Sequence, residues 1–309
     1  MKAITKYMLL LAMAMPALAL PEVATMEEAQ AVARAEGRHI FVDFTGTDWC
    51  TACIHLRTRI VESPEFEAAM GKKFVLVPVD FPRTPELVAK LSEEVKRDRE
   101  AMLVSYRIEG LPGVVLMDCN GLPFEVINGT RRNPADYLAL VQAGLDKLAA
   151  RDAALAAAEG KSGMDRARAL DAALKTLPEV CRDKYKAVIA EINSLDPENT
   201  LGYKGFGDTT RQRIDQLADL RDLLMTFRGK TSLPELQESV AKLNSYLERP
   251  DLVPEARQNA LRALGDTYAF MRDIPKMIQA YRAAYEADPE SRTGKILKKN
   301  LDYYETHPL

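Results

Sequence analysis

The sequence predicts an α/β domain followed by an all-α, helical-hairpin domain. Three observations predict it. Between about residues 35 and 149, short apolar, β-rich runs alternate with segments of helical spacing. Beyond about residue 152 strand signals vanish and only amphipathic helical patterns remain. The 309 residues, 47% hydrophobic and 28% charged, are a globular composition long enough for about two cores.

The elements follow in order. A polar helix spans about Met26–Glu36. "HIFVDF" (His39–Phe44) has the continuous apolar character of a strand buried on both faces. "DWCTACIHLRTRIV" holds helix formers without Pro or Gly, and Asp48 can cap its first turn. "SPEFEAAM" begins another helix, with Ser63 as N-cap and Pro64 at the first helical position. "KKFVLVPVDF" is the next strand, and Pro85–Tyr106 is a single helix with a Thr-Pro start. "GLPGVVLMDCNGLPFEVING" reads as two strands around a turn at Asn120-Gly121, and a helix from "NPADYL" to about Glu159 closes the unit.

"EGKSG" (Glu159–Gly163) is the break before the helical region, and the three glycines of "LGYKGFGD" place a loop at Leu201–Asp208. Arg166–Leu177 and Asp183–Leu195 read as paired helices. Leu264, Gly265, Tyr268, Met277, Tyr281, Ala284 and Pro289 fall at the spacing of one tetratricopeptide helical hairpin. Stacked hairpins of this kind form concave surfaces that hold a partner protein; the other use of such helices is to stabilise the first domain.

"MKAITKYMLLLAMAMPALAL" has the two lysines, the short apolar run and the small-residue A-x-A site of a secretory signal. It predicts cleavage near Ala19 and periplasmic or otherwise secreted localisation. The domains read as 1–19 signal, 20–151 α/β domain and 152–309 helical domain. Loss of Lys2 and Lys6 takes the formal charge from -3 to -5. Mixed charges without a basic stripe argue against nucleic acid as a partner. In an oxidising compartment cysteines are paired or in use.

Cys50 and Cys53 stand three apart at the predicted start of a helix, behind Trp49. Unpaired N–H groups and the helix dipole favour a thiolate on the exposed first sulfur, Cys50, which can then attack a disulfide. Cys53, one turn along, can resolve the mixed disulfide. A zinc site would need a second close ligand pair, which Cys119, Cys181, His39 and His55 do not supply at finger spacing. A static disulfide remains an alternative, although so short a loop removes little unfolded-state entropy. No cofactor or metal is implied. His55 reads as a surface histidine, and Cys119 and Cys181 as either a bridge or two inert thiols.

"VDFTGTDWCTAC" followed by "EGLPGVVLMDCNG" resembles the thioredoxin superfamily, in particular secreted bacterial thioredoxin-like proteins with a Phe-Thr-Gly-x-Asp-Trp-Cys run. The resemblance covers about Ala35–Ala149 and implies a central mixed sheet flanked by helices. It implies Cys50 as nucleophile and Cys53 as resolving cysteine. Trp49 would be a platform beside the site, and Pro112 a cis-proline facing the disulfide. Leu111 would offer backbone hydrogen bonds to an extended substrate. Asp43 resembles the family's buried carboxylate, a proton acceptor for the resolving cysteine, but lies seven residues before Cys50 instead of the usual six. A further carboxylate role, as a solvated group or helix cap, stays open for it.

The combined reading is an exported thiol-disulfide oxidoreductase that reduces disulfide-containing protein substrates and is recharged by a membrane thiol electron donor. Thr51 and Ala52 between the cysteines lack the histidine that makes strong oxidants, which favours a reductant. The alternatives are a disulfide isomerase or oxidase using the same pair, and a non-catalytic adaptor that captures a partner through the helical domain.

Overall fold

The computed structural model describes residues 19–108 and 110–306. The proposed signal, apart from Ala19, lies outside them. By its contacts the chain divides into two compact units: the described residues up to Arg83 together with Leu111–Leu148, and Thr84–Gly110 together with Ala149 onward.

In the first unit, α1 (Met26–Glu36) starts in a capping box. Thr25 accepts from the Glu28 N–H while the Glu28 carboxylate accepts from the Thr25 N–H. β1 (His39–Thr45) is buried along nearly its whole length, as its unbroken apolar run predicts. α2 (Thr51–His55) continues into a π-helical turn, Leu56–Val61, and α3 (Pro64–Met70) is capped by Ser63, whose hydroxyl accepts from the Phe66 N–H at 3.2 Å. β2 (Phe74–Asp80) pairs parallel to β1.

The predicted helix Pro85–Tyr106 is two helices, α4 (Pro85–Val88) and α5 (Glu93–Ser105), both in the second unit. Ser92 divides them: its side chain accepts from the Val95 N–H, and Glu93 and Glu94 follow in the first turn, a start signal that outcompetes helix continuation.

β3 (Gly113–Met117) pairs antiparallel with β1 and with β4 (Pro123–Asn128), and the sheet order is β2-β1-β3-β4. The sheet is therefore mixed, with β1 inside it. Pro78, which lacks an N–H, is tolerated in β2 because that strand lies at the end of the sheet. At the hairpin turn Gly121 sits at φ 79°, and the Asp118 carboxylate accepts from the N–H groups of Asn120 and Leu122. α6 (Pro134–Ala157) approaches the sheet closely through Gly144, where a Cβ would lie 2.9 Å from Glu125 Cβ and 3.0 Å from Leu116 Cδ1. Phe41, Phe66 and Phe74 fill the core with edge-to-face contacts 6.0–6.1 Å between centroids.

The second unit continues with α7 (Gly163–Lys175), α8 (Glu179–Arg182), α9 (Lys186–Leu195), α10 (Asp208–Met225), α11 (Leu233–Leu247), α12 (Pro254–Phe270), α13 (Ile274–Ala287) and α14 (Arg292–Thr306). The glycine-rich loop falls between α9 and α10, with Gly202 and Gly205 at positive φ. Leu220, Leu243, Tyr246, Ala260, Leu264 and Ala280 form its core with neighbours from α10 to α13. In the α12/α13 hairpin the ring of Tyr281 lies where a Cβ on Gly265 would be, so the two helices meet at a contact only glycine permits.

Candidate active site

The cysteine pair sits where β1 hands the chain to α2. Cys50 is the N-cap of α2, and the Cys53 N–H donates to Cys50 Sγ at 3.2 Å. Asp48, expected as the cap, is engaged elsewhere: its carboxylate accepts the backbone N–H of Arg83 at 3.0 and 3.2 Å. Cys50 and Cys53 are joined by a disulfide. Both are buried in this oxidised state, 6% and 2% exposed. The contrast between an open and a hidden sulfur is therefore small here. A sulfur that receives an amide N–H at a helix start is set to carry negative charge once reduced.

Trp49, 36% exposed, stands beside the pair. Its Nε1–H donates to the Phe81 carbonyl at 2.7 Å, and its indole edge rests on Gly46, where a Cβ would lie 2.6 Å from Nε1. The Leu111-Pro112 peptide is cis. It precedes Gly113, which pairs with Phe44 near the end of β1, so it lies at the sheet edge from which the cysteine loop leaves.

Asp43 lies within β1, between Pro78 on β2 and Val114 on β3, and is 2% exposed. Its Oδ1 has no hydrogen-bond partner among the described residues. Burial pushes its pKa up to about 7, Arg57 opposes the shift, and Glu22 and Asp80 add to it. A carboxyl with that value can take and return a proton near neutral pH. Arg57 is itself held by Glu22 and by Glu62 Oε1, the latter at 2.7 Å. Tyr137 on α6 is fully buried with an unpartnered hydroxyl, and Asp43 helps to keep that hydroxyl protonated.

Sequence reasoning missed Arg57, Tyr137 and Arg83. Arg57 and Tyr137 become relevant only through packing around Asp43. Arg83 follows β2 with no motif to announce it, yet its guanidinium carbon stands 3.5 Å from the Trp49 ring centroid. His55 is half-buried, not a surface histidine, because its Nε2 is hydrogen-bonded to the Arg131 carbonyl at 3.0 Å. Cys119, near the hairpin turn of the first unit, is half-buried. Cys181 is buried on α8.

A disulfide at the start of a helix, on a mixed sheet flanked by helices, defines a thioredoxin-like domain of thiol-disulfide oxidoreductase class. Residues 26–144 match the thioredoxin-like domain family. The disulfide bond reductase DsbH of Chlamydia pneumoniae is 28% identical over 118 residues, 38% of this chain and 69% of that protein. An uncharacterized protein of Treponema pallidum (strain Nichols) is 28% identical over 252 residues, 77% of this chain and 76% of that protein, an alignment that runs beyond the matched domain. A solved DsbH oxidoreductase is 26% identical, covering 44% of this chain and 92% of its own, with a TM-score of 0.37.

Proposed function

We propose that the protein is an exported reductase of protein disulfides. The Cys50 thiolate attacks one sulfur of a substrate disulfide, forming a mixed disulfide and releasing the other sulfur as a thiolate, which takes up a proton. Cys53 gives its proton to Asp43, attacks Cys50 Sγ and expels the second substrate sulfur. The substrate leaves with two thiols, and the enzyme is left with the Cys50-Cys53 disulfide. A membrane thiol donor then returns two electrons and two protons.

The observation that carries this reading is the disulfide itself, formed between the helix-capping Cys50 and Cys53. Reduction, as opposed to oxidation, is supported by Thr51 and Ala52, which place no cation between the two sulfurs, and by the similarity to a disulfide bond reductase. Export is supported by the signal-like residues before Leu20. The substrate would lie extended across Trp49 and Leu111-Pro112, with the tetratricopeptide-like region selecting or positioning it.

Equilibration in defined thiol buffers tests the direction of electron flow. A potential near about -270 mV is the expected value, and about -120 to -180 mV would reassign the protein as an oxidase or isomerase. The order of attack is tested by Cys53→Ala, which should accumulate a mixed disulfide on Cys50 detectable by mass spectrometry; a link through any other residue overturns the assignment.

A further inference from the structure

The pairing register brings four chain segments to one edge of the sheet. β1 and β2 both end there, with Thr45 opposite Asp80; β3 begins there, with Gly113 opposite Phe44; and β4 ends there, with Asn128 opposite Gly113. The cysteine loop leaves after β1, Phe81–Arg83 after β2, and Gly129–Arg132 after β4, while Leu111-Pro112 enters β3. In sheet order, Arg83 therefore flanks the cysteine pair on one side and Arg131 and Arg132 on the other.

Arg83 and the Arg131 backbone are anchored to the site. The Arg83 guanidinium covers the Trp49 ring, and the Arg83 N–H is held by Asp48. A chain crossing Trp49 thus meets a guanidinium on the indole. On the other flank, the Gly129 N–H donates to the Pro112 carbonyl at 2.8 Å, and the Arg131 carbonyl is bonded to His55 on α2. Arg83 and Arg132 are exposed. The acidic groups at this edge serve the loops: Asp80 accepts from the Thr47 N–H and hydroxyl at 2.9 and 2.8 Å, Asp48 accepts from Arg83, and Asp136 is bonded to Asn133. These carboxylates accept from uncharged N–H and O–H groups, and among the described residues none of the three guanidiniums forms an ion pair with them, so the arginines stay available to an incoming carboxylate.

We propose that Arg83, Arg131 and Arg132 form a rim that selects protein disulfides flanked by acidic residues. Arginine suits this use, since its planar fork can engage a carboxylate through two hydrogen bonds. The inference rests on the disulfide-exchange reading above and adds to it the class of substrate segment recognised.

The test uses the pre-reduced full chain in single turnovers with three disulfides: 2-hydroxyethyl disulfide as a neutral reference, and two peptides of one sequence with Asp/Glu or Lys/Arg flanks. The acidic peptide should be reduced roughly 3- to 10-fold faster than the basic one at low salt, with the ratio shrinking toward one at high salt. Arg83→Glu and Arg132→Glu should each lower that ratio, and the double variant should invert it. Using the ratio cancels any change in the reactivity of the cysteine pair itself, and Arg132, on an exposed loop, keeps the test valid if Arg83→Glu fails to fold. Turnover of the reference with equal peptide rates, unmoved by either variant, overturns the rim. No turnover of the reference overturns the redox reading along with it.

Discussion

Asp43 shows how a single buried carboxyl links stability to chemistry. Below about pH 4 it is protonated in both folded and unfolded chains. Between that range and about 7 the folded chain keeps a proton that the unfolded chain releases, so stability falls as pH rises. Above about 7 the cost of the buried charge is complete, and the separation of the two pKa values puts it at about 4 kcal/mol. Asp43→Asn removes that cost. Urea unfolding should show the variant gaining on wild type by several kcal/mol from pH 4 to pH 8; a difference that stays flat with pH would mean the carboxyl is not buried with a raised pKa. The same variant should slow resolution of the mixed disulfide by ~100-fold or more while leaving it able to form, which stopped-flow measurement with a trapped substrate would read. Burial chiefly sets where in pH the change falls, and Arg57, Glu22 and Asp80 adjust it electrostatically.

Among the elements, the α12/α13 hairpin and α2 show two ways a helix meets its surroundings. Gly265 lies in the interior of α12, where replacing glycine by alanine ordinarily gains about 1 kcal/mol of helix propensity. Here the added methyl would run into the ring of Tyr281, and overpacking costs about 1–3 kcal/mol. Packing wins, so Gly265→Ala should destabilise the protein by about 1 kcal/mol in thermal or urea unfolding. Once Tyr281 is replaced by alanine, the same substitution should become neutral or stabilising. An unchanged sign in both backgrounds would sever the link between the two residues. α2 keeps α-helical geometry for only Thr51–His55 before the π-helical turn, so the cysteine pair sits on a short, distinct piece of helix. The α12/α13 helical hairpin was readable because helical spacing depends on residues close in sequence. The interruption between α4 and α5 was not, because apolar periodicity ran across Ser92 and masked its capping signal.

For the molecule as a whole, the decisive alternative to the enzyme is an adaptor that works through its helices. Replacing both Cys50 and Cys53 by serine in the full chain should abolish disulfide reduction and the phenotype of the intact gene in a deletion strain. Retention of the phenotype would assign the work to the helical unit. By itself the sequence determined the order of the strands, the Cys50-Cys53 pair at a helix start and the turn at Asn120-Gly121, because each depends on neighbours within a few residues. It also carried the family resemblance that pointed to Pro112 and to a buried Asp43. Tertiary structure alone decided that Arg83 caps Trp49, that Arg57 bears on Asp43 and Asp43 on Tyr137, and that Asp48 serves Arg83 instead of α2. It also grouped Thr84–Gly110 with the helices, where Arg213 donates to the Val104 carbonyl and Arg221 pairs with Glu100. These relations join residues from fourteen to more than a hundred positions apart, and no local periodicity or capping pattern encodes such contacts; they arise only when burial of the apolar faces brings the elements together.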